Sequence, residues 1–101
     1  MKLLFSVVAE KEVQDAADYY ESQEAGLGLR FLNELDRATS FILQFPQAWT
    51  PISKRGRRCC LRYFPYSVIY SVQADTITII TVVNQSRDPE KWQTLIRDLH
   101  R

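Results

Sequence analysis

The sequence predicts an α+β domain in the order β-α-α-β-β-β-α, with a helical hairpin packed on an antiparallel four-stranded sheet. Three observations carry this. Apolar residues alternate at the start, shift to helical spacing through two segments, and give way to β-branched runs in the second half. The 101 residues (11.8 kDa) make one domain with one core. An apolar fraction of 46% with 25% charged residues is globular and excludes a disordered tail protein.

Leu3, Phe5 and Val7 share one face at period two, as in a first strand. From Ala9 the period changes. Val13, Ala16, Ala17 and Tyr20 form one helical stripe, running to about Gln23. Glu10, Lys11, Glu12, Asp15, Asp18 and Glu21 occupy its other faces and read as a solvated surface. Gly26 and Gly28 permit a tight reversal into a second helix over 27–44, with the stripe Phe31, Leu32, Leu35, Ala38, Ile42 and Phe45. Pro46 ends it. A loop over 46–56 holds Trp49, Pro51 and the first basic residues. Strands follow over 57–64, 66–72 and 76–84, with Val68, Tyr70 and Val72 on one face. Asp88-Pro89 opens a last helix whose apolar face is Trp92, Leu95, Ile96 and Leu99.

The net charge is +1, but its distribution is uneven. Residues 1–36 carry three basic and eight acidic groups, and residues 37–62 carry six basic and no acidic ones. Such a bipolar chain either meets an acidic partner with its basic segment or neutralises one face with another. Cys59 and Cys60 are adjacent, a poor geometry for a mutual disulfide, so a cytoplasmic protein with reduced thiols is expected. Apolar stretches such as 77–83 fall far short of the ~20 residues of a membrane span, and residues 1–8 form no secretory segment.

Several chemistries lack their residues. His100 is the lone histidine and is penultimate, which leaves no base for a Ser-His-Asp or Cys-His arrangement. One histidine and two adjacent cysteines do not make a zinc site, and no glycine-rich phosphate loop follows a strand. Neither metal nor cofactor is expected. What remains is the run Lys54, Arg55, Arg57 and Arg58, then Arg62, interleaved with Tyr63, Phe64, Tyr66 and Tyr70. Arginines with aromatics suit a phosphate-and-base surface, and aromatics beside a strand equally suit a core. On a strand, Arg58, Cys60 and Arg62 share one face, with Cys59, Leu61 and Tyr63 on the other.

Three stretches together give the chain a family likeness: Arg62-Tyr63-Phe64-Pro65-Tyr66-Ser67-Val68-Ile69-Tyr70, the run IITVVNQSRDPEKW over 79–92, and the helical hairpin with Phe31, Leu35 and Phe45-Pro46. In that order the chain resembles the RelE/ParE superfamily of bacterial toxins from toxin–antitoxin operons. The resemblance implies a cytoplasmic toxin, related to plasmid stabilisation proteins, held in a hetero-oligomer by a cognate antitoxin. RelE-like members cut messenger RNA on the ribosome, and ParE-like members poison DNA gyrase. Against the nuclease pattern, Ser67 stands where many such enzymes carry arginine, and Asn84, Gln85 and Ser86 precede Arg87 where a basic pair or a histidine–arginine pair is common. Trp92 aligns with a position that can hold a catalytic tyrosine, and its indole is neither a useful acid nor a base. Many ParE-like relatives carry histidine at Asn84.

The resemblance therefore implies a gyrase-directed, non-enzymatic toxin without catalytic residues, whose target surface combines Arg57, Arg58, Arg62, Asn84, Arg87 and Trp92. The alternative is a ribosome-dependent nuclease that binds RNA through Lys54, Arg55, Arg58, Arg62 and Arg87 with a tyrosine as acid–base group. A third reading is a non-toxic binding module.

Overall fold

The structure is a computed structural model and describes residues 1–86. The elements run β1 (Lys2–Phe5), α1 (Val7–Gln23), α2 (Leu27–Gln44), β2 (Thr50–Pro51), β3 (Gly56–Cys60), β4 (Tyr66–Gln73) and β5 (Thr76–Asn84). The strands form one sheet in the order β1-β5-β4-β3-β2. The α+β architecture is the expected one, but the sheet is mixed and five-stranded rather than four-stranded and antiparallel. Two residues of the loop over 46–56 pair with Arg57 and Arg58 as β2, and β1 runs parallel to β5. Side-chain periodicity carries no information on strand direction. The hairpin between β1 and the rest of the sheet provides the long connection that a parallel pairing needs. The expected last helix, with Trp92, Leu95, Ile96 and Leu99, lies outside the described residues.

Ser6 ends β1 two residues early. Its backbone is extended (φ −66°, ψ 161°), and its Oγ accepts the Ala9 N–H at 3.0 Å as the N-cap of α1. The same hydroxyl donates to the Ile80 carbonyl at 2.7 Å, and the Ser6 N–H donates to the Ile79 carbonyl at 2.9 Å. Val7, expected to point inward from the first strand, is instead the first residue of α1 and is 83% exposed. Capping chemistry overrides the period-two pattern there. Beyond β1 the free edge of β5 passes to α1. Oε1 of Glu12 accepts from the Val82 N–H at 3.1 Å and from the Thr81 hydroxyl at 2.6 Å.

The helical hairpin closes on small residues. Ala9, Ala16 and Ala17 of α1 are buried, with Val13 and Tyr20 packed beside them. A Cβ on Gly28 would sit 2.6 Å from the Ala17 carbonyl oxygen, so glycine sets the distance between the helices. Gly26 takes the left-handed conformation (φ 89°) that turns the chain, and the Glu21 carboxylate accepts the Gly26 and Gly28 N–H groups at 3.0–3.1 Å. Glu12 and Glu21, expected on a solvated face, thus act as acceptors for backbone that has no other partner. α2 has the expected bounds. Phe31, Leu35 and Ile42 are buried, whereas Leu32 and Phe45 are 40% and 58% exposed. Glu34 and Thr39 take the flanking buried positions instead.

β3 is shorter than the expected 57–64. The chain leaves the ladder after Cys60 and turns through Pro65, and the Leu61 N–H donates to the Tyr66 carbonyl at 2.9 Å. Leu61 and Phe64 are buried from this turn. Phe64 joins Tyr20, Phe31 and Tyr66 in a cluster with ring centroids 4.8–6.1 Å apart. In β4, Tyr66, Val68 and Tyr70 face the helices. Opposite them β5 carries a bulge: Ile69 pairs with Thr81 and Tyr70 with Ile79, leaving Ile80 unpaired. The extra residue resets the alternation, so that Ile77, Ile79 and Val82 all reach the core.

The β4–β5 turn uses Ala74 at φ 55°, a conformation in which hairpin turns favour glycine. Ala74→Gly should raise unfolding stability by about 0.5–1 kcal/mol, read as a shifted denaturation midpoint at unchanged m-value. A lower midpoint would show that the turn is not strained.

Candidate partner-binding surface

The basic segment does not form one patch, because strand alternation divides it. Lys54 and Arg55 are exposed on the turn between β2 and β3. That turn is closed by the Gly56 N–H donating to Ser53 Oγ at 2.7 Å and the Ile52 N–H donating to the Gly56 carbonyl at 3.0 Å. In β3, Arg57 and Cys59 pair with Tyr70 and Val68 and lie on the helix side. Arg58 and Cys60 pair with Ile69 and Ser67 and lie on the opposite side, as their alternation predicts.

Each arginine has a different setting. Arg57 Nη1 donates to the Gln47 and Trp49 carbonyls at 3.1 and 2.6 Å, and its Nη2 donates to Gln47 Oε1 at 2.6 Å. Arg57 thus ties the loop after α2 to the sheet. Arg58 is half-buried and engaged. Arg62 is exposed, with its guanidinium carbon 6.0 Å from the ring centroid of Tyr63. Among the described residues the ion pairs are Lys11–Asp15 and Arg37–Glu34, and neither joins the basic strand to the acidic first helix. Asn84 closes β5, where its Oδ1 accepts the Ser86 N–H at 2.8 Å and shapes the turn before Arg87. Arg87 and Trp92 lie outside the described residues.

A cleft of about 170 Å³ opens between α2 and the sheet. α2 contributes Glu34, Arg37, Ala38 and Phe41; the opposite wall is Trp49 with the stretch 59–62. Glu34 is 7% exposed, and both its oxygens accept the Tyr63 N–H at 3.1 and 3.2 Å, which holds the β3–β4 turn against the helix. Arg37 stands 3.8 Å from the same carboxylate. Of the site candidates among the described residues, Arg62 alone lines this cleft. Arg37, Phe41 and Trp49 were missed, although the spacing of Arg37 and Phe41 on one helix face signals that they act together.

Two groups are held away from ionisation. The Cys59 thiol is pushed up to about 11 by burial and then by the neighbouring Cys60, which keeps it an unreactive neutral thiol. The Tyr70 hydroxyl donates to the Pro46 carbonyl at 2.8 Å. Burial pushes it up to about 12; Arg57 draws it down and Cys59 adds to the rise. Both groups lose their protons earlier in the unfolded chain, near 9 and 10. Above those values the unfolded chain binds fewer protons than the folded one, so stability falls as pH rises. Urea midpoints should hold to about pH 9 and then decline toward pH 12, and Tyr70→Phe should flatten the upper part of the decline. An unchanged slope in that variant would remove Tyr70 as the cause.

Ser67 is buried in the second position of β4, its Oγ 3.6 Å from Cys60 Sγ. Among the described residues no cluster of histidine, cysteine or carboxylate side chains could hold a metal ion, and no helix is long and apolar enough to cross a membrane.

Residues 3–89 match the model of the ParE toxin of type II toxin–antitoxin systems, parDE. The chain belongs to the ParE toxin family. The ParE fold here is similar to a chain of the chromosomal ParDE toxin–antitoxin system from P. aeruginosa, with a TM-score of 0.60 and 16% identity over 83% of this chain and 95% of that one. It is equally similar to the isolated E. coli RelE toxin, with a TM-score of 0.61 and 19% identity over 97% of each chain. No curated protein sequence matches it. At these identities the two structures share the fold, and membership of the ParE family rests on the sequence match.

Proposed function

We propose that this ParE-family protein is a cytoplasmic toxin that inhibits DNA gyrase by protein–protein contact and is silenced by a cognate antitoxin. The family match over residues 3–89 carries the reading. It is supported by the state of the residues that RNA cleavage would need. Tyr70 is buried and bonded to the backbone, and Ser67 offers no charge. A cleavage site requires a proton acceptor and a cation cluster around one phosphate.

The target surface in this reading is the turn shaped by Asn84, with Arg87 and Trp92 beyond it, together with Arg58 and Arg62. Induced expression of the chain alone should arrest growth with an SOS response and intact messenger RNA. Arg87→Ala should relieve the arrest at least tenfold in surviving cells while the urea midpoint stays unchanged. Arrest with fragmented messenger RNA would establish the nuclease reading instead, and no arrest would favour a binding module.

A further inference from the structure

The β3–β4 turn over 61–65 is held more firmly than a connection requires. Leu61 and Phe64 are buried, the Leu61 N–H donates to the Tyr66 carbonyl, and the Tyr66 N–H donates to the Phe64 carbonyl at 2.8 Å. Both oxygens of the buried Glu34 carboxylate accept the Tyr63 N–H. A buried carboxylate committed to one turn amide fixes the backbone there. The side chains of Arg62 and Tyr63 are nevertheless exposed, with the guanidinium lying against the ring. At 72%, Tyr63 is the most exposed aromatic residue among those described. The turn also adjoins the one that follows β5. Tyr66 pairs with Asn84, the Gln85 N–H donates to the Pro65 carbonyl at 2.8 Å, and Gln85 Nε2 donates to the Tyr66 carbonyl at 3.2 Å. The two turns are thereby tied together at one end of the sheet.

We propose that Tyr63 is an anchor through which the protein grips its target, and that Arg62, Tyr63 and the turn shaped by Asn84 form one contact surface. The inference rests on the gyrase reading for the identity of that target. Tyrosine and arginine carry a large share of the energy at protein interfaces, and a side chain on an immobilised turn loses little freedom when it binds. The complementary site on gyrase is an apolar recess that takes the ring, with a carboxylate at its rim for Arg62. RNA fits this surface less well. A base could stack on Tyr63, but the strand's phosphates need a row of cations. Glu34 lies under the same turn and 3.8 Å from Arg37, so one of the two arginines beside the turn already faces a carboxylate.

The test is binding of the full chain to immobilised gyrase, with the urea midpoint of each variant measured alongside. A short single-stranded RNA is the comparison ligand. Tyr63→Ala should weaken gyrase binding roughly tenfold or more at an unchanged midpoint. Tyr63→Phe keeps the ring and should stay within about threefold of the parent. Arg62→Ala should weaken binding and reduce its dependence on salt. Gyrase binding by Tyr63→Ala equal to that of the parent would overturn the inference and leave the gyrase reading standing. A loss of affinity confined to RNA would do the same. A lowered midpoint in Tyr63→Ala would make the ring part of the fold and overturn it as well. A parent chain that does not bind gyrase at all is a different result, and it would overturn both.

Discussion

Gly28→Ala should destabilise the protein by about 2–3 kcal/mol, against the usual gain when alanine replaces glycine in a helix. The reversal follows from distance. The added methyl would meet the Ala17 carbonyl oxygen at 2.6 Å and the Glu21 Cβ at 3.1 Å, and both belong to the facing helix. Relief requires the two helices to part, which would also draw Glu21 away from the Gly26 and Gly28 amides. Gly26→Ala is the control, because nothing lies within 4 Å of its Cβ and its cost is only that of the left-handed backbone, about 1 kcal/mol. Denaturant midpoints of the two variants decide the matter. A Gly28→Ala protein as stable as the parent would mean that the hairpin is not set by this contact.

Glu12→Ala is the second large effect. Removal of this carboxylate strands the Val82 N–H and the Thr81 hydroxyl, and Thr81 is fully buried. Loss of hydrogen bonds to a charged acceptor, with a buried donor left behind, should cost about 2–3 kcal/mol. Glu12→Gln keeps an oxygen in the same place and should recover at least half of that loss. Hydrogen exchange gives the local reading, with faster exchange at Val82 in the alanine variant. An alanine variant as stable as the parent would show that the carboxylate's contacts with Thr81 and Val82 do not hold α1 to β5.

The fold was legible where a local rule and the long-range packing agree. α2 ends where Phe45-Pro46 requires, and β5 spans its β-branched run. Legibility failed at Val7, because a serine two residues from the strand's expected end is also an N-cap, and only the Ile80 carbonyl across the sheet shows which role applies. Direction of the β1–β5 pair left no trace in side-chain spacing. The bulge at Ile80 was missed although it leaves a trace, since Thr76 and Thr78 alternate with Ile77 and Ile79 and the extra Ile80 delays the next threonine to Thr81. Glu12, Glu21 and Glu34 illustrate a further limit: a carboxylate on a helix becomes structural only by what faces it.

The candidate surface was half legible. Alternation placed Arg58 and Cys60 together, which the strand register bears out, but it could not show that Arg57 serves the Trp49 loop. The cleft was out of reach, because Arg37 and Trp49 become neighbours only when α2 and the loop after it fold back on the end of β3.

Ser6 and Ile80 are separated by 74 positions, yet their bond joins the first strand to the last one described. The helical hairpin can form from neighbouring sequence as it is made, whereas β1 has no partner until residues 76–79 exist. During synthesis the first strand therefore waits, and the sheet closes last. A chain interrupted before residue 76 lacks β5, the strand against which α1 and β1 both pack, so a truncated product has no surface on which its helical hairpin can close.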